Sequence, residues 1–174
     1  MHLFFTYLKI NFLKNRVYLT ALTHYILLKI MGLKQIDYGS AEYIQMVALR
    51  NEILRKPLGL DFSEEELANE KDDTLIAAFD DDEMVGCCML CKENDEKVKL
   101  RQMAVHENVQ GKGLGAAILH FAENIARDKG YKILFMHARE SAVGFYEKLG
   151  YQINSDVFKE VNIPHYVMEK RLEV

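Results

Sequence analysis

The stretch "VQGKGLG", residues 109–115, constrains the fold of this chain more than any other feature. It places a glycine at every second position and leads directly into the apolar run "AAILHFAE". Leu114, Ile118, Phe121 and Ile125 then repeat at helical spacing, and the pattern predicts a helix that ends near Lys129. Glycine costs about 1 kcal/mol relative to alanine inside a helix, so three at the start of such a helix require a reason.

Anion binding is one explanation for the three glycines. The first turn of a helix leaves about four N–H groups without partners, and the helix dipole adds partial positive charge there. Glycines without side chains let a pyrophosphate lie directly on this backbone, and Lys112 is favourable there only if an anion is present. The alternative is a strand-to-helix turn with positive φ, which explains one glycine or two. The P-loop pattern does not fit, and the dinucleotide fingerprint would need glycine where Ala116 stands.

The order of elements predicts an α/β protein. Apolar alternation, capping residues and glycine or proline breaks define the elements. In chain order these are a strand at 33–38, a helix at 41–55, a short helix from the Ser63/Glu66 capping box, the hairpin "TLIAAF"/"MVGCCMLC", a strand from Lys97, the long helix, the strand "YKILFMHA", the short helix "SAVGFYEKLG" and the closing strands "YQIN" and "HYVMEKRL". This order implies a mixed sheet covered by helices.

Charge divides the chain into two parts. Residues 1–36 carry five basic residues and no acid, whereas the rest carries 17 basic and 26 acidic residues, a net charge of −9. A body this acidic argues against nucleic-acid binding, because phosphate contacts dominate that affinity. It would suit a cationic substrate, although a solvated acidic surface explains it as well.

The first 30 residues form an apolar, basic extension. The longest uncharged run within them, residues 17–28, is too short to span a bilayer. The segment could be an amphipathic surface helix in contact with a membrane. We favour a second interpretation, in which Met31 is the true start and the extension is not native. In that case, we expect a chain that begins at Met31 to fold and to bind its ligand as the full chain does.

Three cysteines, Cys87, Cys88 and Cys91, lie in one strand-like apolar run. The spacing of Cys88 and Cys91 occurs in metal and redox sites, but no second pair completes a zinc site. We therefore interpret them as small buried residues and expect no metal. Their number and spacing are typical of a reducing compartment, which predicts a cytoplasmic location.

Two motifs resemble the signatures of the GNAT N-acetyltransferases. Gln110-x-x-Gly113-x-Gly115 after a strand resembles the acetyl-CoA signature of that family, and "ARESAVGFYEKLGY", residues 138–151, resembles its second signature. The resemblance extends over about residues 33–174. It implies a GNAT-like fold for a domain at 31–174, with a mixed, mostly antiparallel sheet of about six to seven strands flanked by about four helices.

The resemblance also implies roles for individual residues. The strand before the signature would lend backbone groups to the pantetheine arm, and the turn after it would hold the pyrophosphate of acetyl-CoA. Tyr146 would lie near the thioester sulfur and act as general acid toward the departing thiolate, whereas Phe145 would pack in the core. The cofactor-binding residues are then Met103, Ala104, Val105, Gln110, Gly111, Lys112, Gly113, Leu114 and Gly115.

The general base stays open at this point. His137, His106, Glu140 and His165 are candidates by residue type, and water alone could serve. Many relatives have an asparagine near the end of the strand before the short helix, where this sequence has "HARE", residues 137–140. Arg139 could reach a coenzyme A phosphate or a substrate carboxylate, or lie on the surface.

The predicted function is the transfer of an acetyl group from acetyl-CoA to a primary amine by direct attack. The alternative is a non-catalytic acyl-CoA-binding sensor. The acidic residues between Ser63 and Asp73 suggest a cationic amine on a small molecule or a peptide. The sequence leaves the oligomeric state open, a homodimer included.

Overall fold

The computed structural model describes residues 31–172, and the predictions for residues 1–30 lie outside them. Four α-helices lie in the described part of the chain: α1 (Ala41–Arg50), α2 (Glu64–Ala68), α3 (Leu114–Asp128) and α4 (Val143–Glu147). A π-helical turn (Asn51–Arg55) and a 3₁₀ turn (Lys56–Leu58) extend α1. Two further 3₁₀ turns, Glu107–Val109 and Glu140–Ala142, precede α3 and α4.

Eight strands form one sheet over the same residues. They are β1 (Met31–Ile36), β2 (Thr74–Asp80), β3 (Glu83–Lys92), β4 (Lys97–Val105), β5 (Ile133–Arg139), β6 (Gln152–Ile153), β7 (Phe158–Glu160) and β8 (Ile163–Arg171). The sheet order is β1-β2-β3-β4-β5-β8-β6, and β7 also pairs with β8. Only β4 and β5 run parallel among these pairs. The predicted fold class is confirmed. The sheet has one strand more than the expected six to seven, because the three-residue strand β7 was not predicted.

Local signals account for several helix ends. The Ser63 hydroxyl accepts from the Glu66 N–H while the Glu66 carboxylate accepts from the Ser63 N–H, so the predicted capping box is confirmed. The predicted helix at 41–55 is α-helical only to Arg50. Pro57 cannot donate a backbone hydrogen bond and its ring crowds the preceding helical turn, so the chain changes to π and 3₁₀ turns before Gly59.

The sheet has a buried core on each face. The helix α1 covers the face that contains Cys87, and α3 covers the face that contains Cys88. Both thiols are fully buried, which confirms their interpretation as small buried residues, whereas Cys91 is only half-buried. Successive strand residues point to opposite faces, so Cys88 and Cys91, three positions apart, cannot face the same ligand.

A buried ion pair joins α1 to the segment before β2. Arg50 is fully buried, and its two terminal nitrogens lie 2.8 Å and 3.0 Å from the two carboxylate oxygens of Glu70. The Tyr43 hydroxyl donates to the same carboxylate at 2.8 Å. The ring of Phe62 lies 4.7 Å from the Arg50 guanidinium and 4.3 Å from that of Arg55. This network positions the π-helical turn that follows α1.

None of the helices within residues 31–172 combines the length and the apolar character needed to cross a bilayer.

Candidate active site

A cleft opens in the middle of the sheet because β4 and β5 diverge. Their parallel pairing runs only from Lys97 opposite Ile133 to Leu100 opposite Met136. Beyond that point the β5-facing edge of β4 has no partner strand within the described residues. A β-bulge in β4 sets two residues, Gln102 and Met103, against the single residue Cys88 of β3, and Gln102 has a φ of +52°. Bulges re-aim side chains in this way beside active sites.

The glycine turn carries the chain from β4 into α3. Gly111 and Gly113 have φ values of +74° and +88°, a region that L side chains rarely adopt. The turn geometry therefore accounts for two of the three glycines. Gly113 is the N-cap of α3 and offers no side-chain cap to the first turn. A Cβ on Gly111 or Gly113 would meet no other atom within 4 Å, so open space lies over this backbone.

The remaining residues of the turn fasten it to β4. The Gln110 amide donates to the Val105 carbonyl at 2.8 Å, and Leu114 is buried. Lys112 is exposed. A Cβ on Gly115 would lie 3.4 Å from Phe145 and 3.5 Å from Met103, so the first turn of α3 packs against both. Ala104 and Val105 pair with β3 along their other edge. The nine predicted cofactor residues therefore lie along the end of β4, the glycine turn and the first turn of α3.

Tyr146 lies on α4 beside the open part of β4. Its side chain is buried, and its hydroxyl lies 3.5 Å from the sulfur of Met103. Burial raises the pKa of the Tyr146 hydroxyl above its ordinary value, so the group holds its proton at neutral pH. Phe145, predicted to pack in the core, is instead 36% exposed. On the short helix α4 the two neighbours point in different directions, and only Tyr146 faces inward.

A cavity of about 270 Å³ occupies the cleft next to Tyr146. Its walls come from the π-helical turn, from β4 and β5 where they diverge, and from the β7–β8 hairpin. Apolar lining is provided by Leu54, Leu58, Met103, Met136, Ala142 and Val161, and ionisable lining by Arg55, Lys99, Arg101, His137, Arg139, Tyr146, Glu160 and His165. None of residues 110–115 lines it, so the cavity and the glycine turn are separate parts of one site.

His137 is the most connected of the four candidate bases. Its Nδ1 lies 2.7 Å from a carboxylate oxygen of Glu160, and the Lys99 amine lies 3.1 Å from its Nε2. Burial acts to raise the pKa of Glu160, but the hydrogen bond and charge of His137 hold it below its usual value. Burial lowers the pKa of Lys99. The three groups form a coupled cluster on one wall of the cavity.

The other three candidates differ in position. His165 also lines the cavity; it is buried, its Nδ1 contacts the Ile163 carbonyl at 2.8 Å, and its ring stacks on Phe158. His106 and Glu140 do not line the cavity. His106 instead accepts the Asn108 N–H at 3.3 Å in the loop after β4.

The acidic residues expected to attract a cationic acceptor do not face this cavity. Glu70 is buried against Arg50, and Glu66 pairs with Arg55 at 2.9 Å. The remaining acids of that cluster, Glu64, Glu65, Asp72 and Asp73, are also absent from the cavity lining. Two of the six carboxylates are paired with arginines of the α1 segment, and none lines the cavity, so the cationic acceptor stays a prediction.

Sequence reasoning missed Lys99, Glu160, Arg55 and Arg101. Glu160 lies at the end of the three-residue strand β7, which precedes a turn at Val161 and Asn162 with φ values of +51° and +61°. Tight hairpin turns of this kind usually contain Asn-Gly or Asp-Gly. A valine in the first position removes that signal, so neither the hairpin nor its carboxylate was recognisable.

A family comparison defines the class of protein, an acyltransferase. The family model for the acetyltransferase (GNAT) domain matches residues 38–172. The chain therefore belongs to the GNAT acetyltransferase family.

Two proteins from Bacillus subtilis are similar to this chain. The uncharacterized N-acetyltransferase YjcF is 31% identical over 125 residues, which cover 70% of this chain and 87% of YjcF. The uncharacterized protein YyaT is 39% identical over 74 residues, or 42% of this chain. That alignment spans half of the length of YyaT.

Solved structures show the same fold. A putative N-acetyltransferase from Lactobacillus plantarum matches with a TM-score of 0.75 at 21% identity, covering 82% of this chain and 99% of that one. An aminoglycoside 6'-N-acetyltransferase complexed with coenzyme A matches with a TM-score of 0.71 at 18% identity, covering 82% and 98%.

Proposed function

We propose that this protein transfers the acetyl group of acetyl-CoA to a primary amine by direct attack. The proposal depends on one arrangement of three features. The uncapped N-terminus of α3 and the open edge of β4 lie next to a cavity, and a buried, protonated tyrosine lines that cavity. Two neighbours of this fold are described with the cofactor bound, the aminoglycoside acetyltransferase above with coenzyme A and a GNAT family acetyltransferase from Elizabethkingia anophelis with acetyl-CoA.

The residues fit acetyl-CoA. The backbone N–H groups of residues 111–115 and the dipole of α3 would hold the pyrophosphate, with Lys112 adding a positive charge. The free edge of β4 at Met103, Ala104 and Val105 would pair with the amide groups of the pantetheine arm. The open space over Gly111 and Gly113 supports this arrangement, since a side chain there would occupy it.

Acetyl-CoA supplies an activated acyl group: the amine nitrogen bonds to the thioester carbonyl carbon, the carbon–sulfur bond breaks, and the sulfur leaves as a thiolate. Tyr146 donates its phenolic proton to that thiolate. The burial that raises the pKa of the phenol would also raise the pKa of a thiol held beside it.

His137 accepts the proton that the amine loses, directly or through one water molecule. The Glu160 carboxylate, 2.7 Å from Nδ1, orients the ring. The Lys99 amine lies on the other side of the ring, 3.1 Å from Nε2. His165, tied to the Ile163 carbonyl through Nδ1, is the second candidate for this role.

The test is acetyl-CoA turnover with a panel of amines, followed as free thiol release and as acetylated product by mass spectrometry. Product formation on at least one amine is the expected result. Coenzyme A binding without product on any amine would contradict catalysis and support the sensor alternative.

Gly113→Ala tests the cofactor site. The added methyl group projects into the space over the turn, and we expect coenzyme A affinity to fall by at least about tenfold, or about 1.4 kcal/mol. Isothermal titration calorimetry measures this.

Gly130→Ala is the matched control, because Gly130 follows the other end of α3, has a φ of +84° and also meets no neighbouring atom. Both substitutions should lower the free energy of unfolding by about 1–2 kcal/mol. Equal coenzyme A affinity in the two variants would show that the pyrophosphate lies elsewhere.

A further inference from the structure

The cavity next to Tyr146 is strongly cationic, although the chain as a whole has a net charge of −4. Among its lining residues in the described part of the chain, one is acidic, Glu160. Four are basic: Arg55, Lys99, Arg101 and Arg139. Such an excess needs explanation, because buried or half-buried cations are stable only when paired.

Three of the four basic side chains have partners within the protein. Arg55 pairs with Glu66 at 2.9 Å and stacks on Phe62. Lys99 contacts His137 and lies in the field of Glu160. Arg101 interacts with the Asp73 carboxylate and the Cys91 thiol. These charges are largely accounted for by the protein itself.

Arg139 is different. It is half-buried, and its polar contact is a single long one, from Nη2 to the Leu54 carbonyl at 3.5 Å. No carboxylate within the described residues lies within 4 Å of its guanidinium. The remaining donors of a planar guanidinium match the two oxygens of a carboxylate. The guanidinium therefore presents N–H donors to the cavity in a geometry that suits a carboxylate.

The position of Arg139 indicates that its donors face the acceptor and not the cofactor. Arg139 ends β5 opposite His165, beyond the point where β4 and β5 diverge, and lines the same cavity as Tyr146 and His137. No residue of the glycine turn lines that cavity, so the pyrophosphate would bind outside it. An anion held by Arg139 therefore belongs to the molecule whose amine approaches Tyr146.

We propose that the acceptor is a small primary amine that carries a carboxylate, and that Arg139 binds this carboxylate. Leu54, Leu58 and Met136 contact the apolar chain between its two polar ends. This inference rests on the proposed acetyl transfer and differs from the expectation of a cationic acceptor.

The test compares acceptors matched in length: a series of ω-amino acids, their primary amides and the corresponding diamines. We expect the carboxylate member to have the highest kcat/KM. Arg139→Gln should lower kcat/KM for the carboxylate member by about 10- to 100-fold and leave that for the amide unchanged. Coenzyme A affinity should not change.

Arg171→Gln is the matched control. Arg171 is exposed and pairs with Ile133 at the opposite end of the same β5–β8 ladder. The Arg171→Gln variant should retain the preference of the unmodified protein for the carboxylate acceptor. A preference for the diamine, or an equal loss for all three acceptors in Arg139→Gln, would overturn the assignment.

A direct binding measurement separates this proposal from the proposed function. If no amine is acetylated, the coenzyme A complex is titrated with the carboxylate series and followed by NMR. Saturable binding that Arg139→Gln removes supports the carboxylate site even without catalysis. Equal binding to both proteins, or binding to neither, refutes it.

Discussion

Tyr146→Phe is expected to lower kcat for amine acetylation by about 10²–10⁴-fold, the usual contribution of a general acid. The substitution removes one oxygen, whose contact in the structure is the weak acceptor sulfur of Met103 at 3.5 Å. Packing of the ring should survive, so coenzyme A affinity and the free energy of unfolding should change little. Steady-state kinetics, calorimetry and chemical denaturation together measure the three quantities.

Tyr151→Phe provides the control for this substitution. Its ring lies 5.9 Å from that of Tyr146, but its hydroxyl donates to the buried Glu123 carboxylate at 3.0 Å. Loss of that hydrogen bond should lower the free energy of unfolding by about 1–3 kcal/mol and leave kcat unchanged. An unchanged kcat in Tyr146→Phe would rule out the acid role, and equal losses of kcat in both variants would indicate a general packing effect.

Glu70→Ala is expected to lower the free energy of unfolding by about 3–5 kcal/mol, because it leaves the Arg50 guanidinium buried without a counter-charge. Arg50 is fully buried and binds both oxygens of the Glu70 carboxylate. The Tyr43 hydroxyl loses its acceptor as well. Equilibrium denaturation with urea measures the change.

Glu65→Ala is the comparison, since Glu65 is an exposed acid from the same stretch and should change stability by only about 0.5 kcal/mol. A double variant, Arg50→Met with Glu70→Met, should recover most of the loss because apolar side chains can replace a buried pair. Similar stability of Glu70→Ala and Glu65→Ala would mean that the ion pair contributes little.

The sequence by itself determined the elements whose signals are local. The apolar repeat of α3, the Ser63/Glu66 capping box and the alternation of β2, β3 and β4 depend on residues within a few positions of one another. Each predicts one backbone conformation, and each is found in the structure. The positive φ values of Gly111 and Gly113 follow the same logic, because only glycine adopts them without strain.

Only the tertiary structure decided what the cavity contains. Lys99, His137 and Glu160 come from three strands up to 61 positions apart, and no short motif records their contact. The acidic residues at 63–73 suggested a binding surface for a cationic amine. In the structure, Glu70 and Glu66 pair with Arg50 and Arg55 from the α1 segment. The net charge of a sequence includes every ionised group equally. In the folded chain, a carboxylate that is paired with an arginine attracts a cationic ligand less. Only the tertiary structure shows that Arg139 has no carboxylate partner among the described residues.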